Sequence, residues 1–162
     1  MAWSIELLAA AHRDRLLSFE ERNREYFAQS IPDRGDDFFA QFDHRLHALL
    51  DAQEEGTDLF HVILGPEGGQ PIIGRINLTD VDAGGASLGY RVAEAAAGRG
   101  VATWAVGRIC ELAVGSYGLC TLTAEVSHGN VASRRVLERN GFRVQGSASW
   151  DGGTGVRLLR SL

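Results

Sequence analysis

The 162-residue chain has no apolar run long enough to span a membrane and no secretory leader pattern. Neither a spanning helix nor export by a cleaved leader is therefore expected. There are only two cysteines, Cys110 and Cys120, at a spacing that matches no metal or redox motif. They read as buried, reduced thiols of a cytoplasmic protein, and no metal site is expected. Basic residues are outnumbered 16 to 21, for a formal charge of −5. That balance argues against a nucleic-acid footprint and suits either a cationic substrate or plain solubility. Repeats, low-complexity tracts and linkers are missing, and 44% of the residues are hydrophobic. Residues 1–162 are thus expected to form one domain around one substantial core.

What is present is concentrated between Leu88 and Ala113. A short apolar strand runs into a small-residue loop holding Gly98 and Gly100, and a long helix begins at once. Ala102, Ala105, Val106, Ile109, Cys110 and Ala113 recur at helical spacing on one wide face. Strand, glycine loop and helix start together make an anion site. The first amides of a helix lack internal partners, the dipole is positive there, and glycine lets a ligand approach the backbone. A phosphate or pyrophosphate is the first inference. Val101 and Ala102 follow Gly100, so the Gly-Lys-Ser/Thr of a nucleotide-hydrolase loop is missing. Gly98-x-Gly100-x-x-Thr103, with Glu125 near the end of the next strand, approaches a dinucleotide fingerprint but lacks its third glycine. A tight turn without a ligand also fits this stretch taken alone.

In chain order, Ser4–Leu8 reads as a strand and residues 11–28 as a helix with Leu16, Phe19, Asn23, Tyr26 and Phe27 on one side. Pro32 and Gly35 interrupt it, and a second helix is predicted over 36–54, striped by Phe39, Phe42, Leu46, Leu49 and Leu50. His44 and His47 lie on that helix without further ligands and read as solvated or capping residues. Strands are predicted at 59–64, 71–78 and 86–92, with turns at 65–69 and 80–85. After the central helix comes a strand over 120–126. Leu122, Ala124 and Val126 take one face of it, and Thr121, Thr123 and Glu125 the other. Asn130 reads as the cap of a last helix ending at Asn140-Gly141. Residues 142–150 and 156–160 form a hairpin around Asp151-Gly152-Gly153. The order β-α-α-β-β-β-α-β-α-β-β predicts an α/β (α+β) mixed sheet of about seven strands with helices on both faces.

Two motifs carry a family resemblance. Ala97-Gly98-Arg99-Gly100-Val101-Ala102 resembles the Gln/Arg-x-x-Gly-x-Gly/Ala loop of the GNAT acyltransferase superfamily, with Ala97 departing from the usual Gln or Arg. The stretch from Glu125 to Phe142, with Asn130, Ser133, Leu137 and Gly141, resembles that superfamily's Asn-x-x-Ser…Leu/Tyr…Gly-Phe segment. It looks most like the RimJ/RimL-type ribosomal-protein N-terminal acetyltransferases, and Asn23-Arg24-Glu25-Tyr26 adds to that likeness.

The resemblance implies a sheet splayed between its fourth and fifth strands and acetyl-coenzyme A as co-substrate. Pyrophosphate would meet Ala97, Gly98, Arg99, Gly100, Val101, Ala102 and Thr103. The backbone of Gly89, Tyr90, Arg91 and Val92 would meet the pantetheine amides much as a sheet edge takes a peptide, although Tyr90 also suits plain core packing. Asn130 and Ser133 lie one turn apart and can address the same ligand, and a purely capping role fits them too. Glu125 is the expected general base, since an attacking amine must be neutral; an exposed strand carboxylate is the other reading. Leu137 stands where many relatives have a proton-donating tyrosine, which leaves Ser133 as the expected acid and Tyr117 behind it. The expected activity is acetyl transfer to a primary amine, a protein N-terminus such as that of a ribosomal protein. Alternatives are a small-molecule amine acceptor or a non-catalytic acyl-coenzyme A module. A monomer or homodimer without nucleic-acid or membrane partners is expected.

Overall fold

The computed structural model describes residues 2–162. Its helices are α1 (Arg13–Arg22), α2 (Arg24–Ala28), α3 (Asp36–Ala40), α4 (Phe42–Glu55), α5 (Val101–Gly115) and α6 (Val131–Arg139). Its strands are β1 (Ser4–Leu7), β2 (Leu59–Leu64), β3 (Ile72–Asp82), β4 (Gly85–Val92), β5 (Thr121–Ser127), β6 (Arg143–Trp150) and β7 (Gly153–Ser161). They form one mixed sheet in the order β1-β2-β3-β4-β5-β7-β6, in which β4 and β5 run parallel and all other neighbours antiparallel.

Each predicted element is present, with adjustments whose causes lie in tertiary contacts. The helix expected over 11–28 opens as a short 3-10 turn and then breaks at Asn23. That side chain is buried. It donates from Nδ2 to the Phe19 carbonyl at 2.9 Å and accepts the Glu94 amide at 3.0 Å, so it competes with the helix backbone. The helix expected over 36–54 breaks at Gln41. The break lets Phe38 meet Phe39 and Phe42 edge-on, at ring distances of 5.1 and 5.9 Å. Asp80 does not begin a turn. It is an irregularity inside β3, and the chain reverses at Ala83-Gly84, both with positive φ. Strand β7 starts three residues earlier than predicted, at Gly153. The expectation of two buried thiols is corrected for Cys120. Leu119, tied to the Ala113 carbonyl at 2.8 Å, takes the buried place and leaves Cys120 exposed.

The sheet separates two cores. Helix α5 packs Val101, Ala105, Val106, Ile109, Cys110 and Ala113 against one face, together with Leu137 of α6. Ala86, Leu88, Leu122, Ala124 and Val126 meet them from the strands. On the other face Leu16, Phe19, Phe38, Phe42 and Leu46 of α1, α3 and α4 cover Phe60, Val62 and Leu64 of β2. Side chains alternate across a strand, so Tyr90 shares the α5 face while Arg91 and Glu125 belong to the opposite one.

The sheet is open at one place. Strand β4 pairs with β5 only from Gly85–Ser87 to Thr121–Thr123. Strand β3 follows β4 up to Val92, and β7 follows β5 to Ser127, so the two halves diverge as a V. A Cβ at Gly155 would overlap the Val126 carbonyl, so the hairpin lies tightly against the far end of β5.

Candidate active site

The floor of the site is built from backbone. After β4 a 3-10 turn over Glu94–Ala96 leads into a loop in which Gly98 and Gly100 hold φ of +73° and +84°. A side chain at either position would meet open space, so conformation rather than crowding selects glycine. The Trp104 amide is bonded to the Gly100 carbonyl at 3.0 Å, and no side chain caps α5. The amides of Val101, Ala102 and Thr103 are therefore left without helical partners, at the positive end of a 15-residue helix. This is the loop and helix-start geometry expected from the glycine pattern, one that can receive an anion.

Above this floor lies a cleft of about 580 Å³. It is lined by Tyr90, Arg91 and Val92, by Ala97, Gly98, Gly100, Val101, Ala102 and Thr103, and by Asn130 and Ser133. The expected coenzyme-binding residues are thus brought to one place, with two exceptions. Gly89 is absent from the lining, and Arg99 lines a hollow of about 760 Å³ on the other side of the loop, between α1 and the β2–β3 turn. That hollow is larger than the cleft, but it lacks the unpartnered strand edges and most of the free helix amides.

Helix α6 forms the second wall. Asn130 caps it by accepting the Ser133 amide at 3.1 Å. Asn140 ties its far end to the start of α5, donating to the Thr103 carbonyl at 3.1 Å. Ser133 Oγ lies 2.7 Å from the Tyr90 hydroxyl. Burial raises the Tyr90 pKa, so that hydroxyl keeps its proton at neutral pH. Leu137 is fully buried in the α5 core and offers nothing to the cleft. Tyr117 lies beyond the far end of α5. Its hydroxyl donates to His61 Nε2 at 2.6 Å, because His61 Nδ1 already donates to the Ile76 carbonyl.

Glu125 stands on the face opposite Leu122, Ala124 and Val126, as the alternation predicts. It is solvent-accessible and lies 3.4 Å from Arg157, its cross-strand partner on β7. The same face carries a feature that no single motif announces. Glu20 and Arg75 are buried and 3.3 Å apart, and Arg34 Nε lies 2.8 Å from the other Glu20 oxygen, at an angle unsuited to a hydrogen bond. Arg91, the cross-strand partner of Arg75, stacks 5.0 Å from the Phe27 ring, and its buried Nη1 has no hydrogen-bond partner. Burial, aided by Arg34 and Arg75, lowers the Arg91 pKa to about 10.

Other cleft residues were also missed. Phe27, Ser30 and Ile31 close the cleft from α2 and the chain after it. Ala132, Arg135, Val136 and Arg139 line it from α6 at offsets of three, four and seven, a helical stripe that marks them as one face. Arg135 and Arg139 add positive charge beside the anion site.

The model of the acetyltransferase (GNAT) domain matches residues 4–143. A probable N-acetyltransferase of Bacillus subtilis (strain 168), YjcK, is 29% identical over 137 residues, which are 82% of this chain and 75% of that protein. The ribosomal-protein-S5-alanine acetyltransferase of Vibrio fischeri superposes with a TM-score of 0.89 at 19% identity, over 99% of this chain and 93% of its own. Mycobacterium smegmatis RimJ, in complex with CoA-disulfide, gives 0.84 at 21% identity, over 98% and 81%. The spermidine N-acetyltransferase of Vibrio cholerae, with CoA and spermine bound, gives 0.78 at 14% identity, over 98% and 95%. At such identities these structural likenesses are of fold.

Proposed function

The chain belongs to the GNAT family and is an acetyl-coenzyme A-dependent N-acetyltransferase, and we propose that its acceptor is the N-terminal α-amine of a protein such as a ribosomal protein. The observation that carries the reading is the arrangement of the splayed sheet. The cleft with its free helix amides lies along β4, and Glu125 stands on the open face of β5 at the mouth of the V.

In this reading the pyrophosphate rests on the Val101, Ala102 and Thr103 amides, with the loop from Ala97 through Arg99 to Gly100 wrapped around it. The backbone of β4 from Gly89 to Val92 has no strand neighbour on the β5 side, and it takes the pantetheine amides. Asn130 and Ser133 contact the same arm from α6. The amine approaches from the opposite face. Glu125, directly or through water, takes its proton, and the freed nitrogen attacks the thioester carbonyl. A β4 amide stabilises the developing oxyanion. When the carbon–sulfur bond breaks, Ser133 Oγ gives its proton to the departing thiolate and regains one from the Tyr90 hydroxyl 2.7 Å away, while the nitrogen's second proton leaves to solvent and solvent re-protonates Tyr90. Ser133 and Tyr90 thereby do what Leu137 cannot.

The α-amine is favoured by its acidity. An N-terminal amine titrates near ~7.7–8.0 and a lysine near ~10.4, so one modest carboxylate deprotonates the first far more readily. The name of one fold neighbour, the ribosomal-protein-S5-alanine acetyltransferase, agrees with that acceptor. The reading places the protein in the cytoplasm, where the exposed Cys120 thiol stays reduced. The test is acetylation of matched peptides. Those with a free N-terminus are expected to react, while the same peptides blocked at the N-terminus but carrying lysine are not. Exclusive lysine modification, or activity on aminoglycosides alone, overturns the reading.

A further inference from the structure

We propose that the acceptor carries a carboxylate close to its reactive amine and that Arg91, with Arg34, receives it. The inference rests on the α-amine reading and narrows it to a substrate class. Its ground is a charge imbalance on the acceptor face of a chain that is acidic as a whole. Arg34, Arg75 and Arg91 converge on a single carboxylate, Glu20. The nearest further acids, Asp33 and Asp36, are already held by Arg24 at 2.9 and 2.8 Å. Arg24, Arg34, Arg75 and Arg91 thus face Glu20, Asp33 and Asp36, one positive charge is left without a counter-ion, and Arg91 Nη1 is buried with no hydrogen-bond acceptor.

A guanidinium nitrogen buried without an acceptor is costly unless a ligand completes it. Arg91 is placed to be completed. It lines the coenzyme cleft and also a small hollow of about 10 Å³ shared with Glu20, Arg34, Phe27 and Ile31. That space admits one oxygen atom. Arg24 and Asp33 line the hollow as well, and a planar carboxylate of the acceptor would match the Arg91 guanidinium fork from the cleft side. Arg91 follows the open β4 edge and shares a sheet face with Glu125, so the anion and the reacting amine belong to one molecule that bridges them. A polyamine would bring several positive charges into a region already in excess by one.

The carboxylate can come from an acidic side chain near a peptide N-terminus or from the α-carboxylate of a free amino acid. The experiment measures kcat/KM for pairs that differ only in that charge. They are an amidated peptide beginning Ser-Glu against Ser-Gln, serine against serinamide, and Nα-acetyl-lysine against its amide, with spermidine as the cationic extreme. The chain contains no lysine, all 16 basic residues being arginine, so acetyl label on side-chain amines reports the acceptor alone.

The carboxylate member of a pair is expected to lead by roughly tenfold or more, mostly through KM. Preference in the first pair points to peptides, and preference in the second alone to free amino acids. Arg91→Met should reduce the preference to within about twofold, and Arg34→Gln should weaken it. Arg91→Met should also melt roughly 2–4 °C higher, because it removes an unpartnered buried charge while keeping the stem. Equal kcat/KM within every pair, or spermidine as the best acceptor, overturns the inference. A lower melting temperature with equal losses on both peptides does so too, since Arg91 is then packing only. Preference for Nα-acetyl-lysine over its amide, with no α-amine acetylated, leaves the carboxylate inference standing and removes the α-amine reading.

Discussion

The two faces of the sheet solve different problems. On the α5 face, apolar side chains interlock and the polar groups among them are paired: His61 with Tyr117, Tyr90 with Ser133, Asn140 with Thr103. On the α1–α4 face, an aromatic layer of Phe27, Phe38, Phe39 and Phe42 is threaded by guanidinium groups. Two of these, Arg34 and Arg91, keep a buried nitrogen without a hydrogen bond. In the proposed reading the first face holds the coenzyme through backbone amides. The second is written in charged side chains, where one substitution changes what is admitted. Coenzyme recognition is then expected to be robust, and acceptor recognition easily altered.

The strongest way to break this comparison is on the open face. Glu125→Gln keeps shape and removes the proton acceptor, so turnover should fall about 10²–10⁴-fold while coenzyme binding persists. Activity should partly recover as pH rises and the amine deprotonates unaided. Near-normal turnover across a pH series would leave Glu125 as the surface partner of Arg157 only.

The next effect concerns the buried histidine of the α5 face. Burial lowers the His61 pKa to about 4, below its ordinary 6.5. Between those values the unfolded chain binds more protons than the folded one, so stability falls as pH drops from about 6.5 towards 4. The full loss, reached below that window, is about 3 kcal/mol. Denaturant titrations at several pH values measure it, and His61→Gln should flatten the dependence within the window. Asp33 and Asp43 are held below the ordinary carboxylate range by hydrogen bonds to Arg24 and Arg13, and they act only at lower pH.

A similar magnitude is at stake in the loop. Acetyl-coenzyme A at a hundred times its Kd should stabilise the wild type by about 2.7 kcal/mol, and NAD or ATP should not. Gly100→Glu should abolish that shift by placing a carboxylate and a disfavoured φ at the anion site. The smallest expected effect is Ser133→Ala. It removes the partner of Tyr90 and should lower turnover about tenfold, with a coenzyme thermal shift near that of the wild type. A change in KM alone would assign Ser133 to binding and not to proton transfer.

These contrasts also explain what could be read from the chain. The glycine loop, the Asn130 cap and the stop at Gly141 are local devices and could be read singly, while it was the family resemblance that joined Gly98, Gly100, Asn130 and Ser133 at one ligand before any coordinates. The break at Asn23 could not, because its cause is an amide 71 residues away, that of Glu94. Gln41 likewise yields to how three phenylalanines stack. The arginine cluster was invisible for the same reason. Glu20, Arg34, Arg75 and Arg91 come from two strands, a helix and a loop, and no periodicity joins them. Arg135 and Arg139 were legible in principle as a helical stripe with Ala132. Glu125 was placed on the correct face by alternation alone.

The divergence of β4 from β5 has a consequence for how the chain avoids its own kind. Past Ser87 and Thr123 two strand edges face each other across the V with no partner. An unpaired edge at the rim of a sheet invites strands from other molecules and seeds aggregation. Here both edges lie in the middle of the sheet, closed at one end by the Gly85–Ser87 pairing and walled by α6. A foreign strand would have to enter side chains first, on both sides at once. A slender, unbranched chain with two amide groups meets no such obstacle. In the proposed reading the notch acts as a filter on cross-section, admitting the pantetheine arm and not an added β-strand.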